Sequence, residues 1–199
     1  MLKLYHARRT RSARILWLLE ELGAVYEVET CEFIRPELPF SQRTPSGKFP
    51  VLEDGEVVLF ESGAILEYLL ETRGDGRLAP RIGSPLRGVF LQWVHFAEAT
   101  LMPPLSEMIR HTVFLPEENR VASVIADARQ RAGVTLGVLE RALDGQDYLL
   151  GNDFSGADIM MGCTLQYAEW FGLLVEFPHI QRYFGRLKER PAFKRAFAA

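Results

Sequence analysis

Between Leu2 and Cys31 the spacing of apolar side chains changes from every second residue to helical spacing and back, and few folds accept that switch in so short a stretch. Leu2, Leu4 and His6 alternate with Lys3 and Tyr5, so this stretch reads as a strand. An arginine-rich turn follows, and Ile15, Leu18, Leu19 and Leu22 then recur at helical spacing, with Gly23 placed to end the helix. Tyr26 to Cys31 alternates again. The opening is therefore βαβ, which predicts a parallel strand pair with a right-handed crossover. Pro36, Pro39 and Pro45 keep the next segment irregular, with a short helix expected near Leu38 to Gln42. Phe49–Glu53 and Glu56–Phe60 flank Asp54-Gly55, a pair suited to a tight antiparallel hairpin. Ser62 is placed to cap a helix carrying Ile65, Leu66 and Leu69, which Arg73-Gly-Asp-Gly76 interrupts.

The rest of the chain carries no strand signal. Helical patterns run around Leu86 to Ile109 and from Glu117 to Leu143, where Asp144-Gly145 stops the second. Ser155 and Asp158 form a capping box, bracketed by Phe154 and Ile159 as an apolar staple. A final helix is expected after Pro178, ending before Pro191. The reading is α/β plus all-α: a βαβ-ββα domain over residues 1–78, and a helical bundle over 85–199. Gly74, Gly76, Pro80 and Gly83 mark the linker, whose end is 79–84.

Composition narrows the partners. The 199 residues carry 23 Lys plus Arg against 26 Asp plus Glu, a net charge of -3, which leaves no electrostatic footprint for a nucleic acid. No stretch reads as a signal peptide or a membrane span. Cys31 and Cys163 are too few for a disulfide framework and lack metal-ligand spacing, so two buried, inert thiols in a reducing cytoplasm are expected.

The βαβ-ββα order, with Pro50 opening the third strand, resembles the thioredoxin-like domain of the cytosolic glutathione S-transferases, and an all-α partner completes that architecture. The resemblance spans nearly the whole chain. It is carried by the Thr10 to Gly23 helix, Gly47-Lys-Phe-Pro-Val-Leu52, Glu61-Ser-Gly-Ala-Ile65, Trp93 through Pro104, and the Ser155–Asp158 box. It is most similar to a bacterial and fungal branch with a hydroxyl-type active site, rather than a tyrosine-type or cysteine-type one.

That resemblance implies glutathione as co-substrate, with no metal, and a thiolate that attacks a small hydrophobic electrophile. It also implies a cytoplasmic homodimer. A free thiol has a pKa near ~8.5, so hydroxyl donors and a helix N-terminus beside the sulfur would favour its ionisation. Thr10, four residues before Arg14, stands where the catalytic hydroxyl falls by analogy, with Ser12 or a backbone amide near Arg9 as alternatives. From the local sequence alone, Ser12 or Thr10 reads as a helix cap, and the resemblance reverses that reading for Thr10. Pro50 resembles the family's cis-proline, which opens the backbone of Phe49 to the cysteinyl part of glutathione. Lys48 is expected at the glycyl carboxylate, Glu61 at the γ-glutamyl ammonium, and Ser62 with the helix amides at the γ-glutamyl carboxylate. Without the resemblance, Lys48 is a solvated loop charge and Glu61-Ser62 an ordinary helix start. Met108, Phe114 and Trp170 are expected in the second-substrate pocket, although such residues at helical spacing also read as core. The alternatives are a glutathione-dependent disulfide or peroxide reductase, and a non-catalytic glutathione-binding or regulatory protein on the same fold.

Overall fold

The structure, a computed structural model, describes residues 1–31 and 47–198. The short helix expected near Leu38 to Gln42 lies outside the described residues. The chain divides into two compact units, Met1–Arg81 with Lys188–Ala199, and Ile82–Leu187.

The first unit is built on β1 (Leu2–His6), α1 (Ser12–Leu22), β2 (Glu27–Thr30), β3 (Val51–Asp54), β4 (Val57–Phe60) and α2 (Ser62–Arg73). The sheet order is β2-β1-β3-β4. β1 runs parallel to β2, as the βαβ reading requires, and antiparallel to β3, which pairs antiparallel with β4. Gly23 ends α1 in the left-handed region at φ 64°, the conformation that favours glycine. The hairpin turn falls one residue later than its sequence suggests. Asp54 pairs with Val57, leaving Gly55-Glu56 as the loop with Gly55 at φ 63°. Asp54 is held back in β3 by α2, where it accepts a hydrogen bond from Tyr68 at 2.9 Å and an ion pair from Arg73.

The chain's last residues return to this unit. Pro191 does not merely end the preceding helix; it opens α8 (Pro191–Ala198), because proline at a first helical position has no amide to leave unpaired. Trp17 of α1 meets Phe193 edge to face at 4.9 Å. The Glu21 carboxylate takes both Nε and Nη2 of Arg190 at 2.6 and 2.8 Å, while Glu20 pairs with Arg195 and accepts from Tyr26. Pinned by β1, α2 and α8, α1 is buried on nearly every face.

The second unit is built from helices joined by turns, with one antiparallel bridge between Tyr148 and Gly151. α3 (Pro85–His95) continues through a π-helical stretch, Phe96–Leu101, into α4 (Met102–Ile109) and a second π-helical stretch, Arg110–Phe114. α5 spans Ala122–Ala142, starting later than expected because Glu117–Asn119 forms a separate 3₁₀ turn. α6 (Gly156–Trp170) and α7 (Pro178–Glu189) follow, the end of α7 passing into the first unit. The capping box is present: Asp158 accepts from Ser155 N at 2.8 Å and Ser155 Oγ at 2.9 Å, and also from Leu149 N and Tyr183 OH, both at 2.9 Å. Glu140 of α5 closes the start of α7 in a similar way, accepting from His179 N and Ile180 N at 2.9 Å each. No helix among the described residues is long and apolar enough to cross a membrane.

Candidate functional site

Sheet register gathers the candidate residues of the first unit. Tyr5 and Phe60 are both partners of Val51, so one step further along each strand His6, Pro50 and Glu61 meet at the same sheet end. The β1–α1 loop, the Phe49-Pro50 segment and the start of α2 therefore converge, although they are far apart in sequence. The Phe49–Pro50 peptide bond is cis. Phe49 packs with Tyr5, Ala7 and Val51, and Cys31 lies against that cluster. Cys31 is only half-buried, contrary to expectation, and burial followed by the nearby Glu29 charge pushes its thiol pKa up, away from reactivity. Cys163 is buried.

The start of α2 is unusual. Glu61 precedes the helix at φ 70° and ψ 108°, a region that non-glycine residues rarely enter, and its side chain is exposed and makes no capping bond. Ser62 is thus the first helical residue rather than the cap. Its Oγ accepts from Arg14 Nη1 at 3.1 Å, and among the described residues it donates its own proton to no acceptor. The first intrahelical bond runs from Ile65 N to Glu61 O at 2.9 Å, which leaves the amides of Ser62, Gly63 and Ala64 ahead of the helical ladder. Lys48 is exposed beside this end of the sheet.

The β1–α1 loop is tied inward. Thr10 Oγ1 donates to Ala7 O at 2.7 Å and lies 2.7 Å from Ser12 Oγ. Ser12 Oγ accepts from Ala7 N at 3.1 Å and lies 2.9 Å from Nδ1 of His6, a buried ring whose pKa is lowered by desolvation and then by the Arg8 charge. Both hydroxyls are buried, and among the described residues their partners lie within the loop and β1. Neither hydroxyl caps α1: Arg11 precedes the helix without a side-chain capping bond, and Thr10 Oγ1 accepts from Ser12 N, at 3.3 Å. Arg9 stands at the exposed crest with φ 59°.

In the second unit, Met108 is fully buried, with 0% exposure, and a side chain with no surface cannot line a pocket. Phe114 and Trp170 are 57% and 60% exposed. Sequence reading missed Arg14 and His6 as parts of the site. The available signal was a charged residue within the uninterrupted run Ala13 to Leu19, all of it buried, where a guanidinium demands an internal partner.

Residues 1–71 match the glutathione S-transferase N-terminal domain, and residues 101–191 the C-terminal domain. The glutathione S-transferase-like protein OpS6 of Beauveria bassiana is 32% identical over 212 residues, covering 99% of this chain and 94% of that one. The chain belongs to the glutathione S-transferase family. Among solved structures, the glutathione transferase URE2P6 of Phanerochaete chrysosporium, in complex with oxidized glutathione, matches with a TM-score of 0.88 at 26% identity, covering 99% of this chain and 94% of that one. The chain is also similar to part of elongation factor 1-gamma of Prunus avium, 33% identical over 162 residues, 76% of this chain but only 36% of that one.

Proposed function

We propose that this member of the glutathione S-transferase family binds glutathione at the open end of the first unit's sheet and presents its thiolate to a small hydrophobic electrophile. The observation that carries the reading is the convergence of the Phe49-Pro50 segment, the open start of α2 and the β1–α1 loop in one register. In this reading Ser62 and the α2 amides hold the γ-glutamyl carboxylate, Glu61 holds the ammonium, the Phe49 backbone pairs with the cysteinyl residue, and Lys48 meets the glycyl carboxylate.

The sulfur then lies at the loop before α1. Because the Thr10 and Ser12 protons are engaged inward, the donors assigned to the thiolate are backbone amides at the Arg9 crest, aided by the α1 N-terminus. Thr10 and Ser12 act by holding that crest in place. Thr10→Ala tests this assignment. If amides stabilise the sulfur, the variant's bound thiol keeps its pKa within a few tenths of a unit, read by thiolate absorbance against pH. A rise of about one unit or more would return the role to the Thr10 hydroxyl.

Phe114 and Trp170 remain the proposed contacts for the electrophile, with Met108 withdrawn. A cytoplasmic homodimer is proposed, supported by the apolar side chains of Val57, Val58 and Phe60 exposed along the β4 edge strand. Disulfide reduction is the second reading, favoured by the oxidized glutathione in the URE2P6 complex and by the exposed cations Arg8 and Arg9 on the loop, which suit an anionic second substrate. Parallel assays with an aryl halide and with a mixed glutathione disulfide separate the two. Glutathione binding without turnover in either assay would favour a non-catalytic role, the reading that the match to an elongation factor supports.

A further inference from the structure

Arg14 is the largest charged side chain in the fully buried interior of the first unit, at 0% exposure. A guanidinium carries donors only and stays protonated, so the direction of its 3.1 Å bond to Ser62 is fixed: Nη1 donates and Ser62 Oγ accepts. A hydroxyl that accepts from a cation is polarised into a stronger donor. Ser62 is itself only 3% exposed, and among the described residues nothing accepts the proton it has left. The Oγ is satisfied as an acceptor by Arg14, which leaves its one proton for an acceptor that arrives from outside. The amides of Ser62, Gly63 and Ala64 ask for the same thing.

We propose that Arg14 is a positioning residue for carboxylate recognition: without touching the ligand, it fixes the Ser62 hydroxyl so that its proton points to the incoming carboxylate at the start of α2. This rests on the glutathione reading above, in which that group is the γ-glutamyl α-carboxylate. Arg14 spans from α1 to α2, and thereby couples the helix that follows the sulfur loop to the one that grips the other end of the tripeptide.

The test is calorimetric titration of the full chain with two probes, glutathione and 4-aminobutyryl-cysteinylglycine, which lacks only the α-carboxylate. Arg14→Met and Ser62→Ala are each expected to weaken glutathione binding about tenfold, the double variant by much less than the product of the two, and Arg14→Lys to recover part of the loss. For the probe without the carboxylate, Arg14→Met and Arg14→Lys are expected to bind as the unaltered chain does. Should Arg14→Met not fold, Arg14→Lys keeps a buried cation and supplies the same comparison, with about a threefold loss for glutathione alone. Equal losses for both probes would mean that Arg14 only supports the fold, and would overturn the inference. So would unimpaired Arg14 variants beside an impaired Ser62→Ala, an outcome that leaves the glutathione site standing. No glutathione binding by the unaltered chain would remove both.

Discussion

The two helix starts at Glu61-Ser62 and Ser155-Gly156 face the same problem and resolve it in opposite ways. Both must deal with amides that precede the helical ladder. At α6 the Asp158 carboxylate collects Ser155, Leu149 and Tyr183, so the start is closed by the protein itself. At α2 the preceding residue is held at φ 70° and makes no capping bond, and Ser62 accepts from a buried arginine while, among the described residues, nothing accepts its own proton. A closed start contributes stability to its unit. An open start gives up some of that stability and leaves its amides outside the helical ladder.

The largest effect separating the two belongs to the closed start. Asp158→Ala leaves several buried donors without an acceptor and should lower unfolding free energy by about 3 kcal/mol in a denaturant titration. Glutathione affinity measured on the folded variant should stay within about twofold of the unaltered chain. If affinity falls as far as stability, the closed start is not purely structural.

Ser62→Ala should show the converse. Its expected loss is about tenfold in glutathione affinity, with a smaller change in melting temperature than Asp158→Ala. Glu61→Gly sharpens the contrast further, because glycine accepts the positive φ that glutamate tolerates only under strain. It should raise stability by about 1 kcal/mol while weakening glutathione binding through loss of the ammonium partner. A variant that loses both stability and affinity would show that the Glu61 backbone is not strained.

The closed start was readable in the sequence, since Ser155 and Asp158 stand at capping-box spacing and such a box is a local device. The open start was only half readable. Glu61-Ser62 suggested a ligand, but a positive φ at glutamate has no letter code, and Arg14 joins Ser62 across 48 positions of sequence. The sheet was legible because alternation and a turn glycine are local signals, whereas the exact hairpin loop was not. Tyr68 and Arg73 decide that Asp54 stays in β3, and both lie beyond the turn. Pro191 gave an ambiguous signal, since proline both ends one helix and begins the next; the aromatic seat that Trp17 offers to Phe193 decides for α8. Thr10 and Ser12 were legible as hydroxyls beside a helix start, but the direction of their protons depends on Ala7 and His6.

The smallest expected effect concerns His6. Its folded-state pKa is lowered by burial and then by Arg8, so the folded protein favours the neutral ring. The stability it contributes is present above the ordinary histidine pKa, near ~6.5, and is lost as pH falls from there through the lowered folded value. His6→Asn should therefore flatten the fall in melting temperature below about pH 6.5, while the slope above it stays unchanged. An unaltered slope in the variant would place the acid sensitivity elsewhere.

The proposed function requires the open start of α2 and the loop before α1 to bind one tripeptide and ionise its thiol. The most direct measurement is calorimetric titration of the full chain with glutathione at neutral pH, followed on the same sample by an absorbance scan for thiolate. Saturable binding together with a thiolate band is expected, both weakened by Ser62→Ala. Absence of saturable binding, or binding that Ser62→Ala leaves unchanged, would contradict the proposed function.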